Sequence, residues 1–579
     1  MKRRAVLTSC LGICLILSPL SCSYRTAGVT QPMIPVCENL HVSGDIEYPA
    51  SPCSSLIKGA LENRTHYVTV LDNGDDALLA RAHLIRNAQQ TILIQTFIWG
   101  ADESGRFLFS ELIQAAKRGV KVRILIDALG LPAEPRLIAF LTAVHPNIEI
   151  KFYNPVSDKV ISSKLALLKK ASLDFSGLNQ RMHNKIFVVD DRFGITGGRN
   201  YENDYFDRGR KRNFRDCDVL VIGPVVRDMT DSFMEYWSFD LSVPSGDMLD
   251  VRTLIERGEY TEYSSKESFE LGRFFGELER RASDTSSIQR LLVDPSHGAG
   301  HVSFIADHPG KRERIGKRQI ARTTYELGRF LLRAEKSLVV QTPYLVVDKK
   351  NARYFKKLAR SKPDLECLIS SNSLASADHV HAYAFSFKNK KKYLKDFRWQ
   401  IFELRPDPKD ADLMITPVNK EERVGGYITC IHAKTYVVDG QAVWVGSFNL
   451  DPRSANLNTE AGLIIDDEGV AQAIEKNIRR DMAHQNSWTI GRRPKVPVVS
   501  RFSRPLGNII RAIPVVDVWP FTYSGCFELK EGRAVVPFYH EDFYGNYRYV
   551  GPFPGVMLSE KEIKARLIKA FLGPAEPLI

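Results

Sequence analysis

Two stretches of the 579-residue chain share one hydrophobic pattern. Ala88–Thr96 (AQQTILIQT) and Ala334–Thr342 (AEKSLVVQT) each read as a helix end running into a strand. The unbroken apolar run in each predicts a strand covered on both faces. They lie 246 residues apart. Met182–Asp190 (MHNKIFVVD) and Ile431–Asp439 (IHAKTYVVD) match in the same way, 249 residues apart. Nearly equal offsets on two separate matches mean that one domain has been duplicated. Each half alternates helix and strand. Glu111 to Arg118 reads as helical and Val120 to Ile126 as a strand, and Tyr354 to Arg360 and Leu365 to Ile369 repeat the pair. Such alternation predicts the α/β class, with helices on both faces of a sheet.

Shifts in pattern and composition divide the chain. The halves span 65–239 and 317–491, and the polar stretch 240–316 between them carries helical patches such as Ser268 to Arg281, so it reads as a structured linker. After about Arg492 the chain turns to Pro, aromatic and basic residues, which marks 492–579 as an appended C-terminal region. Residues 23–64 form a variable N-terminal segment. Ahead of it, Lys2, Arg3 and Arg4 precede an apolar stretch from Ala5 to Leu20, the pattern of a secretory signal over 1–22. Cys22 stands where a bacterial lipoprotein is cleaved and lipidated, although Pro19-Leu20-Ser21 departs from the usual Leu-small-small triplet. Lipoprotein, cleaved signal and uncleaved anchor all remain open. The expected location is the bacterial cell envelope, membrane-associated, on the periplasmic or exported side.

Composition narrows the partners. A net charge of +12 favours an anionic one: acidic lipid, nucleic acid or a phosphate-bearing substrate. Three basic runs, Arg208 to Arg212, Lys311 to Arg322 and Lys388 to Lys395, read first as solvated faces and second as lipid-headgroup contacts. The stretch Arg501 to Trp519 mixes basic and apolar residues and fits either a membrane surface or domain packing. Cys37 and Cys53 could pair in an oxidising compartment, whereas Cys217, Cys367, Cys430 and Cys526 read as buried small hydrophobes. No His/Cys cluster has zinc spacing and no acidic cluster accompanies the repeated motif, so neither a metal nor a cofactor is expected.

The chemistry lies in the repeated His-x-Lys-xxxx-Asp element. Residues two apart on a strand share a face, so His183 goes with Lys185 and His432 with Lys434. Turns at Asp190 and Asp439-Gly440 return the chain to Gly197-Gly198-Arg199-Asn200 and Gly446-Ser447-Phe448-Asn449. In both halves the asparagine follows the histidine by 17 residues. Each hairpin thus brings a histidine, a lysine and an amide to one rim. That set suits a phosphoryl group, with a nucleophile or acid, a cation, and neutral donors for the oxygens. Moving such a group needs a nucleophile on one side and an acid on the other, and two imidazoles can supply both. The lysines supply the cation, which predicts turnover that survives chelation.

On these motifs the chain resembles the phospholipase D superfamily over roughly residues 65 to 485. It is most similar to bacterial cardiolipin synthases of the signal-bearing, periplasm-facing subgroup. Arg181-Met182-His183-Asn184-Lys185, Gly197 to Tyr201, Phe214 to Val219, Ser371 to Asp378 and Gly446 to Ser454 carry the match. The resemblance implies two α/β/α halves packed about a pseudo-twofold axis, with one active site at their interface. It makes His183 the nucleophile and His432 the acid and base. Lys185, Lys434, Asn200, Asn449, Gly198 and Ser447 would hold the phosphate. Asp216 and Glu460, 33 and 28 residues past their histidines, would each orient the histidine of their own half. Asp190 and Asp439 complete the catalytic motif. On a regular strand they face away from the histidine, so hairpin stabilisation is the favoured role and direct catalysis the lesser one.

Three functions follow. The first is phosphatidyl transfer of the cardiolipin synthase kind through a phosphohistidine, with phosphatidylglycerol or phosphatidylethanolamine as substrate at a membrane surface. The second is a secreted phospholipase D releasing phosphatidic acid. The third, a nuclease, ranks last, and nucleic acid is not the expected partner. Composition leaves oligomeric state open.

Overall fold

The computed structural model describes residues 48–494 and 523–556, apart from 49–50, 133, 174, 261–272, 312–320, 417–420 and 422. The expected signal with Cys22, Cys37 of the possible Cys37–Cys53 pair, and the Arg501 to Trp519 stretch lie outside the described residues. In chain order the strands begin with β1 (His66–Leu71), β2 (Thr91–Thr96), β3 (Lys121–Asp127), β4 (Ile148–Tyr153), β5 (Ile186–Val189), β6 (Phe193–Gly197) and β7 (Arg212–Arg215). Next come β8 (Asp218–Ile222), β9 (Ser242–Pro244), β10 (His297–Ala299), β11 (His301–Ala306), β12 (Ser337–Gln341), β13 (Glu366–Asn372) and β14 (Gln400–Leu404). The last seven are β15 (Ile428–Ile431), β16 (Thr435–Val438), β17 (Ala442–Gly446), β18 (Ala461–Asp466), β19 (Ser487–Arg492), β20 (Ser524–Leu529) and β21 (Tyr547–Gly551).

Two mixed sheets result, ordered β10-β1-β8-β6-β5-β2-β3-β4-β9 and β11-β18-β17-β16-β12-β13-β14-β19-β20-β21. Read outward from β1 and from β11, eight successive strands correspond, so the duplication is complete at the level of topology. Strands β2, β3 and β4 run parallel to one another, as do β12, β13 and β14. Their apolar runs are explained by two-sided burial. On β2, Ile92 and Ile94 enter the outer core of the first half, while Leu93 enters a second core. That second core also holds Val339, Leu368 and Val437 of the other half, so one hydrophobic layer is shared between the sheets. A third core fills the outer side of the second half.

The expected boundaries need two corrections. The stretch 240–316 is not only a linker, because β10 extends the first sheet and β11 opens the second. The second half therefore begins at His301, and Asp307 just after β11 accepts the backbone N–H of Glu460 at 3.1 Å. Residues 523–556 are not simply appended either, since β20 pairs with β19 and β21 with β20. The helices also start earlier than their apolar pattern predicts. Asp102 caps Glu103–Lys117 by accepting from Gly105 N–H, and Asp348 caps Lys349–Ser361 by accepting from Asn351 N–H. In the N-terminal segment, helix Ser54–Asn63 packs on the first core through Leu56, Ile57 and Ala60.

The basic runs are only partly solvated. Arg208 is buried against Asp75 at 2.5 Å, Lys390 against Glu403 at 2.5 Å, and Lys311 donates to the carbonyls of Ser454 and Asn458, both at 2.7 Å. These residues are internal ties. Cys53, Cys217, Cys367, Cys430 and Cys526 are buried thiols. Among the described residues no helix is long and apolar enough to cross a membrane.

Candidate active site

Both motifs sit on hairpins, β5–β6 and β16–β17. Their turn residues have positive φ, 53° and 52° at Asp190 and Asp191 and 55° and 65° at Asp439 and Gly440, and each turn closes on an N–H three residues on, Arg192 N–H to Val189 O and Gln441 N–H to Val438 O, both at 3.0 Å. The motif aspartates occupy these turns, at the end of each hairpin away from its histidine. The buried Asp190 carboxylate accepts the backbone N–H groups of Gln89, Gln90 and Thr91 at 2.7–2.8 Å and the Tyr48 hydroxyl at 2.9 Å. Asp439 does the same for Glu335, Lys336 and Ser337. A direct catalytic part for Asp190 and Asp439 is thereby corrected: they pin the start of β2 and β12. Asp190→Ala would strand three backbone donors, so a loss of about 3 kcal/mol or more in unfolding free energy is expected. Turnover per folded molecule should stay within about twofold, read from thermal melts beside rates normalised to folded protein.

Each histidine is then placed by the opposite half. A two-stranded ribbon joins β15 to β7 in parallel, and His432 N–H donates to Arg215 O at 2.8 Å. The first half mirrors this, with His183 N–H donating to Thr459 O at 3.0 Å and Thr459 N–H to Arg181 O at 2.9 Å. Asp216 follows Arg215 and Glu460 follows Thr459, so each acid arrives beside the other half's imidazole. His183 Nδ1 lies 2.9 Å from Glu460 Oε2, and His432 Nδ1 lies 2.6 Å from Asp216 Oδ2. The expectation that each acid serves its own half is overturned, because the strand pairing crosses the interface. Two residues to which the sequence assigned no role, Asn372 within the Ser371 to Asp378 stretch and Asp127, support the approach. Met182 N–H donates to Asp127 Oδ2 at 2.8 Å, and Ile431 N–H to Asn372 Oδ1 at 2.7 Å. Asp127 ends β3 and Asn372 ends β13, so their matching place in the repeat was a usable signal.

The small residues of the return strands serve these acids. A Cβ on Gly198 would stand 2.2 Å from Asp216 Oδ1, so glycine there admits the carboxylate. At the matching position the Ser447 hydroxyl donates to Glu460 Oε2 at 2.5 Å, and the Ser454 hydroxyl donates to Oε1 at 2.7 Å. Gly198 and Ser447 therefore shape the acids; a direct phosphate-holding role for them is corrected. The asparagines differ. Asn200 spends its amide on Ile98 N–H and the Tyr205 hydroxyl, whereas the buried Asn449 Oδ1 has no hydrogen-bond partner among the described residues. The Asn449 amide is thus the less engaged of the two. Lys185 Nζ donates to His183 O at 2.9 Å, and Lys434 Nζ donates to His432 O while lying 2.8 Å from His432 Nδ1. Phe97 packs edge-on against His183, and Tyr205 edge-on against His432.

The electrostatics follow from this enclosure. Burial lowers His183 and His432 to about 4, with the lysines adding to the effect and the carboxylates opposing it. Burial also lowers Lys185 to about 7, helped by the like charge of Lys434, and lowers Lys434 to about 8. Burial alone would raise the two acids. His432 and Lys434 hold Asp216 below its ordinary value, and His183, Ser447 and Ser454 do so for Glu460. Each imidazole is thus neutral at pH 7 and presents Nδ1–H to a carboxylate, which leaves the Nε2 lone pair for chemistry.

Comparison with known proteins identifies the family. The chain matches the family described as "Cardiolipin synthase, PLD-like domain" twice, over residues 82–237 and 327–482. The chain belongs to the phospholipase D superfamily, close to the cardiolipin synthases. It is an enzyme of the phospholipase D, phosphatidyltransferase type. It is 33% identical over 408 residues to cardiolipin synthase C of Escherichia coli K12, covering 70% of this chain and 82% of that protein. Identity to cardiolipin synthase B of Salmonella typhi is 25% over 413 residues, covering 71% and 79% respectively. Among solved structures, phosphatidylserine synthase of Haemophilus influenzae Rd KW20 matches with a TM-score of 0.47 at 16% identity, covering 75% of this chain and 91% of that one.

Proposed function

We propose that this enzyme makes cardiolipin by transferring a phosphatidyl group onto the glycerol of phosphatidylglycerol through a phosphohistidine. The observation that carries the reading is the pair of buried histidines, each locked at Nδ1 by an acid of the other half. In the first step His183 Nε2 attacks phosphorus, the P–O bond to the leaving alcohol breaks, and His432 Nε2–H gives its proton to the departing oxygen. The anionic phosphodiester supplies the charge that raises His432 enough to carry that proton. In the second step His432 takes the proton of the incoming hydroxyl, its oxygen attacks phosphorus, and the N–P bond breaks to restore His183. Lys185 and Lys434 would meet the negative charge that accumulates on the non-bridging oxygens. Phosphatidylglycerol or phosphatidylethanolamine would serve as donor, releasing glycerol or ethanolamine. The cell envelope, facing outward, is the setting in which such a donor and acceptor meet.

The test is incubation of purified enzyme with defined lipids and separation of the products. Cardiolipin should be the main product when phosphatidylglycerol is abundant. Phosphatidic acid as the sole product would make the enzyme a hydrolase. Turnover should survive excess EDTA because the two lysines already provide the positive charge; loss that one divalent ion restores would refute this.

The pH dependence follows from the lysines. Lys185 keeps its charge below about pH 7 and loses it above, while His183 is neutral above about pH 4. Free His432 loses the proton that the first step needs above about pH 4, so kcat/KM should fall gently from there and more steeply above about pH 7, where Lys185 loses its charge as well. Lys185→Arg keeps its charge at all working pH values. It should move the alkaline limb up toward about 8, where Lys434 takes over. An alkaline limb that stays in place would show that Lys185 does not set it.

A further inference from the structure

The connections after β4 and β14 leave apolar side chains in water. Ile161 is 54% exposed, Leu165 77% and Leu168 66%. Leu165 and Leu168 stand three apart on helix Lys164–Leu173 and share one face. In the second half Leu413, 62% exposed on helix Ala411–Met414, follows β14 as that helix follows β4. A single exposed leucine needs no explanation. Three within one connection do; Leu413 is set apart, because it lies among Asp407, Asp410 and Asp412 with Lys409 as the one nearby lysine.

Their position gives the explanation. Both connections leave the carboxyl ends of their parallel strands. The histidines lie at those same ends, because Gln95 near the end of β2 pairs with Ile186 and Gln341 at the end of β12 pairs with Thr435. The first connection is tied to the site. Asn154 Nδ2 donates to the carbonyls of Gly177 and Gln180 at 2.8 Å, and Arg181 Nη2 donates to Asn154 O at 2.7 Å. Lys170 Nζ fastens the helix to Pro155 O at 2.6 Å. Lys159 and Lys169 stand exposed beside the apolar side chains. Leucines in water flanked by lysines fit one partner: the interfacial layer of an anionic bilayer, where apolar groups enter the acyl boundary and ammonium groups meet phosphates.

The geometry points to a lipid-docking rim in which Ile161, Leu165 and Leu168 enter an anionic bilayer beside the active-site mouth. This rests on the lipid reading of the site. A diacyl phosphodiester presented there reaches His183 and His432 while its chains stay out of water. The full-length chain is the test object, with vesicles of phosphatidylglycerol as probe. Leu168→Trp should gain fluorescence that brominated phosphatidylglycerol vesicles quench beyond the parent protein's own quenching. Turnover of vesicle lipid by the Leu165→Asp, Leu168→Asp double variant should fall at least tenfold. Its turnover of dihexanoyl phosphatidylglycerol, kept below the micelle concentration, should match the parent. Unquenched Trp at 168 beside normal vesicle turnover would overturn the proposal. So would equal vesicle turnover by the double variant and the parent, or a parent dimer that the double variant loses with vesicle turnover unchanged. A parent enzyme that turns over neither lipid form would refute the lipid chemistry instead, and the quenching would still decide docking.

Discussion

Changing His183 or His432 to alanine is expected to lower kcat/KM by about 10⁴-fold or more, with the double variant little worse than either single one. The residues act as one unit, so their effects do not add. A leaving-group test separates their roles. A phosphatidyl ester of p-nitrophenol departs without an acid, so His432→Ala should recover much of its first step on that donor. His183→Ala should not recover, because it lacks the group that attacks. Labelled lipid should accordingly trap on His183 as an acid-labile adduct in the His432 variant. Recovery by His183→Ala, with the label on His432, would exchange the two roles while leaving the geometry as it stands. Normal turnover of ordinary phosphatidylglycerol by either variant would end the two-histidine scheme.

The sequence was most legible where the chain repeats. Nearly equal offsets between two pairs of matched stretches exposed the duplication, and alternate residues entering two different cores, such as Leu93 between Ile92 and Ile94, account for the unbroken apolar runs. The histidines, lysines and turn aspartates were legible because each lies within one hairpin, where spacing alone sets neighbours. What spacing could not reveal was the partner of each acid. Asp216 meets a histidine 216 residues later, and Glu460 one 277 residues earlier. Those meetings depend on β7 pairing with β15 and on Thr459 pairing with Met182, across the interface. A local pattern carries no record of such pairing. The same limit hid β10 and β11, short strands that read as polar linker until the sheets are assembled around them. It also hid the work of Gly198. A small residue near a phosphate motif reads as room for the ligand, but the room is taken by Asp216.

The crossed acids yield the second large effect. Asp216→Asn and Glu460→Gln keep the size of each side chain but replace an acceptor oxygen with a donor amide. The facing imidazole must then turn its other tautomer toward the amide, which moves the proton onto Nε2. Neutralising the acid that orients a catalytic histidine costs about 10⁴-fold in comparable triads. A loss on that order is expected for each variant here, with melting temperatures near that of the parent. The decisive readout is which step fails. Glu460→Gln disarms the Nε2 lone pair of His183, so phosphohistidine formation should be lost even from the p-nitrophenyl donor. Asp216→Asn instead removes the carboxylate that supports a charged His432, so it should lose the protonation of a poor leaving group and be rescued by the good one. If each acid served the histidine of its own half, the pattern would invert. Asp216→Asn would then resist rescue and Glu460→Gln would be rescued. The 2.9 Å and 2.6 Å contacts across the interface predict the first pattern. They also imply that neither half is competent alone, since each brings the nucleophile or acid for one step and the orienting carboxylate for the other.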